Sequence, residues 1–474
     1  MLKTLVDLPE ELRADWEIVL YEQRRDVGGI WLPDPQPVHP PDLPETPLYP
    51  LLHTNTPVPT MTYPQFPFPP GTPLYPSHEY VEQYHQDYAS HCNLSSYIKL
   101  NHTVLTTSWV GTPTKGHWEV VVQDHNDHEM RKSFDHLVVA SGHNHYPSIP
   151  VFPGQEEWLK SSPVGGFKRE ILHSVWYREP QRYANRSVVV VGSGASGQDA
   201  VSQLASVARK VYHCVRSWSD PASGQVEVKP EISHFTTDGV VFIDIPVPVD
   251  VDSVILATGY DLRVPFLEEG GEVLVKPKSN DTDVHRLTTN LRYLFPLHQH
   301  IFSSSKSYPT NALAFVGLPI LIANCPSDVA QSIYAAQVIA NGSLLGSREA
   351  LLEQLKDSEE DLRSRGYDPF YTGHRMVDGS SYDYQDGLIN YLKERGALPD
   401  STSKFVESWR REVAGYQYLR RGWTRVEHSG QQREWLRGIQ TEEEWADLMR
   451  RLNNWQMEWE THHGLVFPNE TVVF

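Results

Sequence analysis

The fold of this chain is decided by the stretch Val188-Val189-Val190-Val191-Gly192-Ser193-Gly194-Ala195-Ser196-Gly197-Gln198-Asp199-Ala200. Four valines in a row predict a buried strand of a parallel sheet, and the small residues that follow predict a helix. Between them, the glycine spacing GxGxxG is typical of a turn that lets the backbone approach a pyrophosphate. The apolar run at residues 211–215 predicts the next strand, so residues 185–216 are predicted to form a βαβ unit. We interpret Gly192, Ser193, Gly194, Ala195, Ser196 and Gly197 as a dinucleotide-binding loop, although isolated glycines at this spacing also occur in ordinary turns.

The residues at the end of that second strand indicate which nucleotide binds. An NAD-type site places a carboxylate there, where it accepts a hydrogen bond from the ribose 2′-hydroxyl. This chain has Arg216 and Ser217 instead. A guanidinium suits a 2′-phosphate because its planar fork forms charge-assisted hydrogen bonds. The sequence therefore predicts NADPH rather than NADH; the alternative is that Arg216 is a surface residue at a strand end.

The start of the chain has the pattern of the later part of a second nucleotide-binding half. Residues 1–8 predict a helix, and residues 18–21 predict a strand that ends at Glu22, where an acid would bind an adenosine ribose. The glycines of Gly28-Gly29-Ile30-Trp31 allow close backbone approach to a bound group, and the tryptophan would form a wall. The glycine loop that belongs before such a helix would fall before Met1. We therefore expect a two-nucleotide protein truncated before its first GxGxxG, through a late start codon or an alternative transcript.

The charge, the cysteine content and the hydrophobicity of the chain disfavour several classes of protein. The chain has 41 basic and 60 acidic residues, a formal net charge of -19, which disfavours a nucleic acid or an anionic membrane as partner. Its three cysteines form no CxxC, which disfavours a disulfide framework, a zinc knuckle and a disulfide reductase. The longest apolar run, near residues 313–323, is too short to span a bilayer, and no secretory leader opens the chain. We therefore expect a soluble, cytoplasmic protein without a membrane span or a metal site.

The rest of the sequence predicts ordered segments around the glycine loop. Residues 33–76 contain 16 prolines among aromatic side chains, which favours an ordered loop over a core rather than a free linker. Helical spacing follows at 77–91, and strand-like runs follow at 98–104, 118–123, 136–140 and 252–256. A charged helical region is predicted from about residue 345, with Trp435, Trp445, Trp455 and Trp459 as its core anchors.

Five motifs follow one another along the chain. They are Glu22 with Gly28, Gly29 and Trp31; Leu52-His53-Thr54-Asn55-Thr56-Pro57 with Met61; the segment from Phe167 through His173 and Ser174 to Tyr177; the Gly192 loop; and Ala257-Thr258-Gly259-Tyr260. In this order they resemble the motifs of the flavin-containing monooxygenases, enzymes that use FAD and NADPH to place one oxygen atom on soft nitrogen or sulfur centres. The resemblance covers roughly residues 1–340 and is specific as a set, although each motif is modest alone.

The resemblance implies an α/β fold with two Rossmann-like dinucleotide-binding domains, one for FAD and one for NADP. The NADP domain would be inserted in the FAD domain, and C-terminal helices would follow. The implied ranges are 1–160 for the first part of the FAD domain, lacking its first strand and glycine loop, 161–289 for the NADP domain, 290–345 for the return segment of the FAD domain, and 346–474 for the C-terminal helical region.

The resemblance also implies the residues of the site. Asn55 would be the catalytic asparagine beside the flavin, where its neutral amide would help hold the C4a-hydroperoxyflavin and the nicotinamide amide. Arg216 and Ser217 would bind the NADP phosphate, and residues 324–332 resemble the family's late FAD-contacting turn. A small molecule and molecular oxygen would be the substrates. The full set of implied cofactor-binding residues is Glu22, Gly28, Gly29, Trp31, Thr54, Val104, Gly192, Ser193, Gly194, Ala195, Ser196, Gly197, Arg216, Ser217, Thr258, Gly259 and Gln331.

Some positions depart from the family pattern or allow two interpretations. Arg169 stands where the FxGxxxH segment has glycine, and a left-handed backbone there would strain an arginine. Tyr177 stands where related Baeyer–Villiger enzymes usually have tryptophan, which favours oxygenation of a heteroatom. His173 belongs either to the function of that motif or to capping and packing. Two other functions stay open: a truncated, flavin-free NADP-binding protein without turnover, and a Baeyer–Villiger-type monooxygenase.

Overall fold

The structure of the chain is a computed structural model that describes residues 1–161, 166–216, 224–280 and 283–467. These residues group into two units. The first unit contains Met1–Gly28, His53–Gly142 and Leu262–Phe474, and the second contains Gly29–Leu52 and His143–Asp261. The chain therefore leaves the first unit twice and returns to it twice. The four sequence ranges predicted for the domains stay a prediction.

The chain contains both helices and strands, and two strands, an α-helix and a further strand follow one another at residues 170–214 of the second unit, which agrees with the predicted α/β class. The helices are α1 (Leu2–Val6), α2 (Glu10–Arg13), α3 (His78–His91), α4 (Gln155–Lys160), α5 (Ala195–Leu204), α6 (Pro265–Glu269), α7 (Asn324–Ala340), α8 (Arg348–Ser364), α9 (Pro369–Thr372), α10 (Ser381–Glu394), α11 (Ser408–Val413), α12 (Leu419–His428), α13 (Gln432–Trp435) and α14 (Glu442–His462). The strands are β1 (Leu20–Tyr21), β2 (Ile98–Lys99), β3 (Thr103–Gly111), β4 (Gly116–Gln123), β5 (Glu129–Phe134), β6 (Leu137–Val139), β7 (Tyr146–Pro147), β8 (Glu170–His173), β9 (Ser187–Val191), β10 (Lys210–Cys214), β11 (Val226–Lys229), β12 (Ile232–Thr236), β13 (Gly239–Phe242), β14 (Ile245–Val249), β15 (Ser253–Leu256), β16 (Tyr260–Asp261), β17 (Val273–Val275), β18 (Leu287–Thr289), β19 (Leu294–Phe295), β20 (Leu297–His298), β21 (Phe302–Ser303) and β22 (Leu313–Phe315).

The second unit is built on a parallel sheet of five strands in the order β11-β10-β9-β15-β8. The central strand β9 pairs with β10 on one side and with β15 on the other. Val188, Val189 and Val190 are fully buried, as expected for a strand covered on both faces. The predicted βαβ unit is confirmed as β9, α5 and β10, and the strand predicted at 252–256 is confirmed as β15.

The first unit contains several small sheets. β3, β4 and β5 form an antiparallel meander, while β20, β21, β22 and β6 form a mixed sheet. Trp118 of β4 is fully buried, and its indole Nε1 donates a hydrogen bond to the carbonyl oxygen of Ala312, just before β22. This contact ties the meander to the mixed sheet and places one hydrophobic core under both.

The C-terminal part of the first unit is helical, as predicted. Trp445 of α14 is buried in a cluster with Trp423 of α12 and Leu74 of the proline-rich segment, and Trp435 and Trp455 pack against that cluster. The predicted anchor role is therefore confirmed for Trp435, Trp445 and Trp455. Trp459 lies under the guanidinium of Arg425 at the edge of this region.

The first two strands predicted along the chain differ from the structure in their bounds. The strand predicted at 18–21 is reduced to β1, and the run at 98–104 is divided between β2 and β3. Asn101 has φ of +55° between them, a turn conformation that asparagine tolerates better than most residues. The helix predicted at 77–91 is confirmed as α3, with Ser77 as its N-cap residue. The proline-rich segment is ordered, as expected, because Tyr49 and Phe68 are buried in the cores of the second and first units.

Candidate functional site

The glycine loop of the second unit has the shape that a pyrophosphate requires. Gly192 has φ of +117°, and a Cβ at this position would overlap the carbonyl oxygen of Ala257. A Cβ on Gly197 would overlap the carbonyl oxygen of Gly192, so this residue lets α5 pack closely on the loop. Gly194 is different, because a Cβ there would meet no atom within 4 Å. The first and third glycines therefore shape the turn, and the second faces open space where phosphate oxygens fit.

The start of α5 offers hydrogen-bond donors at the same place. Gly194 is the N-cap residue and provides no side-chain cap to the first turn of the helix. Ser193, Ala195 and Ser196 are exposed beside it. Free backbone N–H groups and the positive end of the helix dipole favour an anion at such a position. The residues present therefore fit the pyrophosphate of a dinucleotide.

Arg216 lies two residues after the end of β10, and it is exposed. Its guanidinium Nε is 3.2 Å from a carboxylate oxygen of Glu231, which is also exposed. An exposed ion pair of this kind contributes little free energy. A phosphate could therefore replace Glu231 as the partner of Arg216 at small cost. Ser217, the other predicted phosphate ligand, lies outside the described residues.

The segment after β15 forms the other wall of the glycine loop. The backbone of Ala257 limits the space at Gly192, and Gly259 turns with φ of +80°. The Thr258 hydroxyl donates to the carbonyl oxygen of Ser148, so this predicted ligand is engaged with the protein's own backbone. The structure thus brings Thr258 and Gly259 close to the glycine loop.

His173 is a capping and packing residue. Its Nδ1 accepts the N–H of Val175, and its Nε2 lies 3.0 Å from the carbonyl oxygen of Gly259. One nitrogen must therefore accept and the other must donate, which only a neutral imidazole can do. Burial lowers the pKa of His173 to about 4, consistent with that neutral form.

Arg169 is accommodated without the strain that a left-handed backbone would cause, because its φ is not positive. Its side chain is buried, and the guanidinium donates to the carbonyl oxygen of Thr237 at 2.7 Å and to a carboxylate oxygen of Asp250 at 3.0 Å. The ring of Trp158 lies beneath it. The position that is glycine in the family pattern therefore holds a buried, paired arginine here.

A network that the sequence did not indicate lies beside α5. The Tyr49 hydroxyl donates to a carboxylate oxygen of Asp199, which also accepts a hydrogen bond from Gln203. The Tyr177 hydroxyl donates to the side-chain oxygen of Gln203 at 2.9 Å. Asp199 belongs to the quoted glycine motif, but no spacing rule links it to a residue 150 positions earlier. The network fixes residues 29–52 to the helix that begins at the glycine loop.

In the first unit, Asn55 occupies a distinctive position. Thr54 and residues 56–60 are buried, and Asn55 is exposed among them. We call residues 54–60 the strip. The backbone N–H of Thr54 donates to the carbonyl oxygen of Pro76, and this hydrogen bond holds the strip against the segment that ends at α3. The side-chain oxygen of Thr54 is buried and has no hydrogen-bond partner among the residues that the structure describes. A buried hydroxyl of this kind usually has a partner, so Thr54 fits the polar edge of a bound flavin.

The other residues predicted to bind FAD are distributed over both units. Glu22 follows β1, and its carboxylate accepts the N–H of Arg24 at 2.8 Å; Gly28 follows with φ of +125°. Val104 is half-buried in β3. Gly29 and Trp31 form a short 3₁₀ turn, Gly29–Trp31, that belongs to the second unit.

Gln331 is fully buried on α7, and both ends of its amide bond to the chain. Its oxygen accepts the N–H of Gly317, and its nitrogen donates to the hydroxyl of Ser327. The turn after β22 is thereby fixed to the start of α7. Cys325, also at the start of α7, packs with Val58, so the helix start lies against the strip that follows Asn55.

Two absences hold for residues 1–161, 166–216, 224–280 and 283–467. Among those residues, no group of three or more His, Cys, Asp or Glu side chains could hold a metal ion. No helix in the same ranges is long and apolar enough to cross a membrane.

A parallel sheet with a glycine loop shaped for a pyrophosphate defines a dinucleotide-binding α/β protein. A sequence profile described as flavin-binding monooxygenase-like matches residues 4–221 and 219–403. The chain therefore belongs to the flavin-binding monooxygenase-like family.

Individual relatives agree with this assignment. The chain is 27% identical over 471 residues to the flavin-containing monooxygenase FMO GS-OX2 of Arabidopsis thaliana, covering 94% of this chain and 93% of the relative. It is 29% identical to FMO GS-OX-like 9 of the same plant, covering 82% and 84%. Its fold is similar to that of S-allyl-L-cysteine S-oxygenase from Allium sativum, with a TM-score of 0.72, 23% identity and 96% of each chain covered. It is also similar to cyclohexanone monooxygenase in its open form, with a TM-score of 0.54, 14% identity and coverage of 83% and 96%.

These findings confirm the predicted family, enzyme class and cofactors. The protein is an oxidoreductase of the flavin monooxygenase type, and the cofactors of its family are FAD and NADPH. As a monooxygenase it takes a small molecule and molecular oxygen as substrates.

Proposed function

We propose that this protein transfers one atom of molecular oxygen to a soft sulfur or nitrogen atom of a small molecule, with NADPH as reductant. The observation that carries the proposal is the strip at residues 54–60, where an exposed Asn55 follows a buried, unpartnered Thr54 hydroxyl. A carboxamide and a hydroxyl at adjacent positions can hold a polar ring edge while offering no acidic proton.

The chain's own residues have distinct tasks in this proposal. The Gly192 loop and the start of α5 bind the pyrophosphate of NADPH, and Arg216 binds its 2′-phosphate. Glu22 binds the ribose of FAD, and Thr54 orients the flavin edge. Activation of oxygen is chemistry that FAD supplies when it is bound and reduced by NADPH. Asn55 would donate a hydrogen bond from its amide N–H beside the reacting edge of the flavin, and a carboxamide there would offer no acidic proton.

The reaction balances without a nucleophile from the protein. One oxygen atom forms an S–O or N–O bond with the substrate, and the other leaves as water. NADPH gives up a hydride and becomes NADP⁺, and one further proton comes from solvent. The substrate's lone pair makes the new bond, so the acceptor must be a soft, uncharged sulfur or nitrogen.

Sulfur is the acceptor that we propose first. The solved structure reported above is that of an S-oxygenase that acts on S-allyl-L-cysteine, and the chain covers 96% of it. Tyr177 supports a heteroatom substrate, because Baeyer–Villiger relatives usually have tryptophan at the matching position. A thioether is therefore the first substrate to test, with a tertiary amine second.

The first experiment measures flavin binding and turnover with the whole chain. The purified protein is incubated with excess FAD and desalted, and a retained flavin absorption band is expected. Oxidation of NADPH is then followed with a thioether, a tertiary amine and cyclohexanone, and sulfoxide is expected as the main product. No retained flavin would support a flavin-free NADP-binding protein, and lactone formation would support Baeyer–Villiger chemistry; either outcome would overturn the proposal.

The variant that tests the key residue is Asn55→Ala, with Asn126→Ala in an exposed hairpin turn as its control. Asn55→Ala should retain flavin and lower sulfoxide formation by about 100-fold, the usual effect of removing one such donor. The control should match the unmodified protein. Equal activity in the two variants would show that Asn55 has no catalytic task.

A further inference from the structure

Arg410 of α11 is a buried arginine whose contacts lead to the strip that carries Asn55. Its side chain is only 5% exposed. Its Nη1 donates to the carbonyl oxygen of Pro59 at 2.8 Å, and its Nη2 donates to the hydroxyl of Thr62 at 3.1 Å. These acceptors lie in and just after the 3₁₀ turn Val58–Met61. The partners are about 350 residues apart in the sequence but meet within the first unit.

Two carboxylates of the C-terminal region fix the direction of this guanidinium. Its Nε donates to Glu407 at 2.8 Å, and its Nη2 is 3.7 Å from Glu442 at the start of α14. A buried arginine needs opposite charge and satisfied N–H groups, and its planar fork fixes the directions in which those groups point. Glu407 and Glu442 compensate the charge, while the remaining donors hold the 3₁₀ turn.

Further hydrogen bonds connect this 3₁₀ turn to the residues on either side of Asn55. The Thr62 hydroxyl also donates to Pro59, so Arg410 and Thr62 share one carbonyl oxygen. The N–H of Thr60 donates to Pro57, two residues after Asn55, and the N–H of Val58 donates to Leu74. The backbone of Asn55 is thus held upstream at Thr54 and downstream at this turn.

We propose that Arg410 is a positioning residue that sets the place of the exposed Asn55 side chain by clamping the turn at residues 58–62. The effect on turnover rests on the proposed function, whereas the effect on the strip does not. Through Arg410, the C-terminal helical region then contributes to the position of Asn55. In the sequence this region lies far from the nucleotide-binding motifs.

The first test measures amide hydrogen exchange of residues 54–62 in the protein without added flavin. Arg410→Met removes the clamp, and Arg450→Met is the matched control. Arg450 joins α14 to Glu412 of α11 through two hydrogen bonds but does not reach the turn. Hydrogen bonds to a charged group restrain a segment strongly, so Arg410→Met should speed exchange in this strip about tenfold or more. Arg450→Met should leave exchange there unchanged.

A milder pair of variants keeps the proposal testable if Arg410→Met fails to fold. Thr62→Val removes one acceptor of the clamp, and Thr62→Ser keeps the hydroxyl. Thr62→Val should speed exchange at residues 54–62, and Thr62→Ser should restore the unmodified rate. Equal exchange in the two variants, or a rise spread equally over β4, would overturn the positioning role.

The second test measures turnover in the flavin-loaded protein, as the ratio of hydrogen peroxide released to NADPH oxidised. Arg410→Met and Thr62→Val should raise this ratio several-fold while flavin stays bound, and Thr62→Ser should not. An unchanged ratio would overturn the link from Arg410 to Asn55. If the unmodified protein oxidises no NADPH, the proposed function fails, and the exchange measurement still decides whether Arg410 clamps the strip.

Discussion

The sequence predicts a nucleotide-binding motif after β9 and another after β1, and these two strands differ in how they pair with their neighbours. β9 is paired on both sides in a five-stranded sheet, and its valines are fully buried. β1 has two residues, is half-buried and pairs with β2 in a two-stranded sheet. Beside β9 the indication of a ligand is steric, because the glycine loop leaves a space of the right shape. In the first unit the indication is chemical, because the buried Thr54 hydroxyl has no hydrogen-bond partner within the described ranges.

The two regions should therefore respond differently to substitution. At the glycine loop an added side chain overlaps backbone atoms or fills the space of a phosphate, so we expect loss of the fold or of nucleotide binding. At Thr54 and Asn55 the loss of one polar group should lower activity while the fold persists.

The largest effect is expected at the glycine loop. Gly197→Val should unfold the second unit or destabilise it by about 3 kcal/mol or more, because the side chain would overlap the backbone of Gly192. Gly194→Ala is the informative partner, since open space surrounds that position. It should keep the melting temperature yet weaken NADPH binding about 10- to 100-fold, by excluding a phosphate oxygen. Calorimetry and NADPH titration separate the two effects, and equal behaviour of the two variants would refute the steric argument.

Acid should weaken the first unit through two histidines, His300 and His374, that are hydrogen-bonded to each other with their rings edge to face. The N–H of Leu294 donates to Nε2 of His374, so the proton of His374 is on Nδ1, which lies 2.9 Å from Nδ1 of His300. Another proton on His300 would break this bond, and burial lowers its pKa from 6.5 to about 4. As the pH falls, His300 takes up a proton in the unfolded chain before it does so in the folded protein. The contribution of neutral His300 to the free energy of unfolding is therefore present above pH 6.5 and is lost as the pH falls towards 4.

The predicted loss for His300 is on the order of 2 kcal/mol between pH 7.5 and pH 5. His300→Asn should remove most of this pH dependence. Its side-chain oxygen can accept from His374, and asparagine tolerates the observed φ of +57°. Urea denaturation of both proteins at the two pH values gives the measurement. Parallel pH dependence in the two proteins would contradict the assigned proton positions.

A smaller effect is expected at the end of β10. Arg216→Ala should weaken NADPH binding by roughly tenfold and leave NADH binding nearly unchanged, because only NADPH carries the 2′-phosphate. Arg182→Ala, which removes an exposed ion pair with Glu170 in the same unit, is the control. Competitive titration with both nucleotides measures the difference. If Arg216→Ala weakens both nucleotides equally, Arg216 is not a phosphate ligand.

The smallest effect concerns residues 29–52, the first of the two sequence ranges that form the second unit. Tyr49→Phe removes the hydrogen bond to Asp199 and should destabilise the second unit by about 1 kcal/mol. Tyr80→Phe, at an exposed position of α3, should cost nothing measurable. Hydrogen exchange at residues 187–204 measures the change. An unchanged rate in Tyr49→Phe would show that residues 29–52 do not stabilise the glycine-loop helix.

Much of the second unit could be predicted because its signals are local. The valine run, the glycine spacing and the small residues of the helix follow one another directly in the sequence. The strand, the turn and the helix could therefore be predicted from one continuous stretch. The end of β10 was predictable for the same reason. The short β1 was not, since strand length depends on what pairs beside it, and pairing partners are distant in the sequence.

Arg169 illustrates the limit of inference from a motif. The glycine of the family pattern suggested a left-handed backbone, yet the structure places a buried arginine there without one. Its partners, Thr237 and Asp250, come from β-strand connections far along the chain. No pattern at residues 167–177 could have indicated them.

Glycine spacing and hydrophobic periodicity were enough to predict the glycine loop, the α/β class and the family, because both express steric requirements among neighbouring residues. The folded structure was needed to show the hydrogen bonds from Tyr49 to Asp199 and from Arg410 to the turn after Asn55. These bonds join residues more than a hundred positions apart in the sequence. Such bonds exist only after the chain has folded and each donor has met its acceptor.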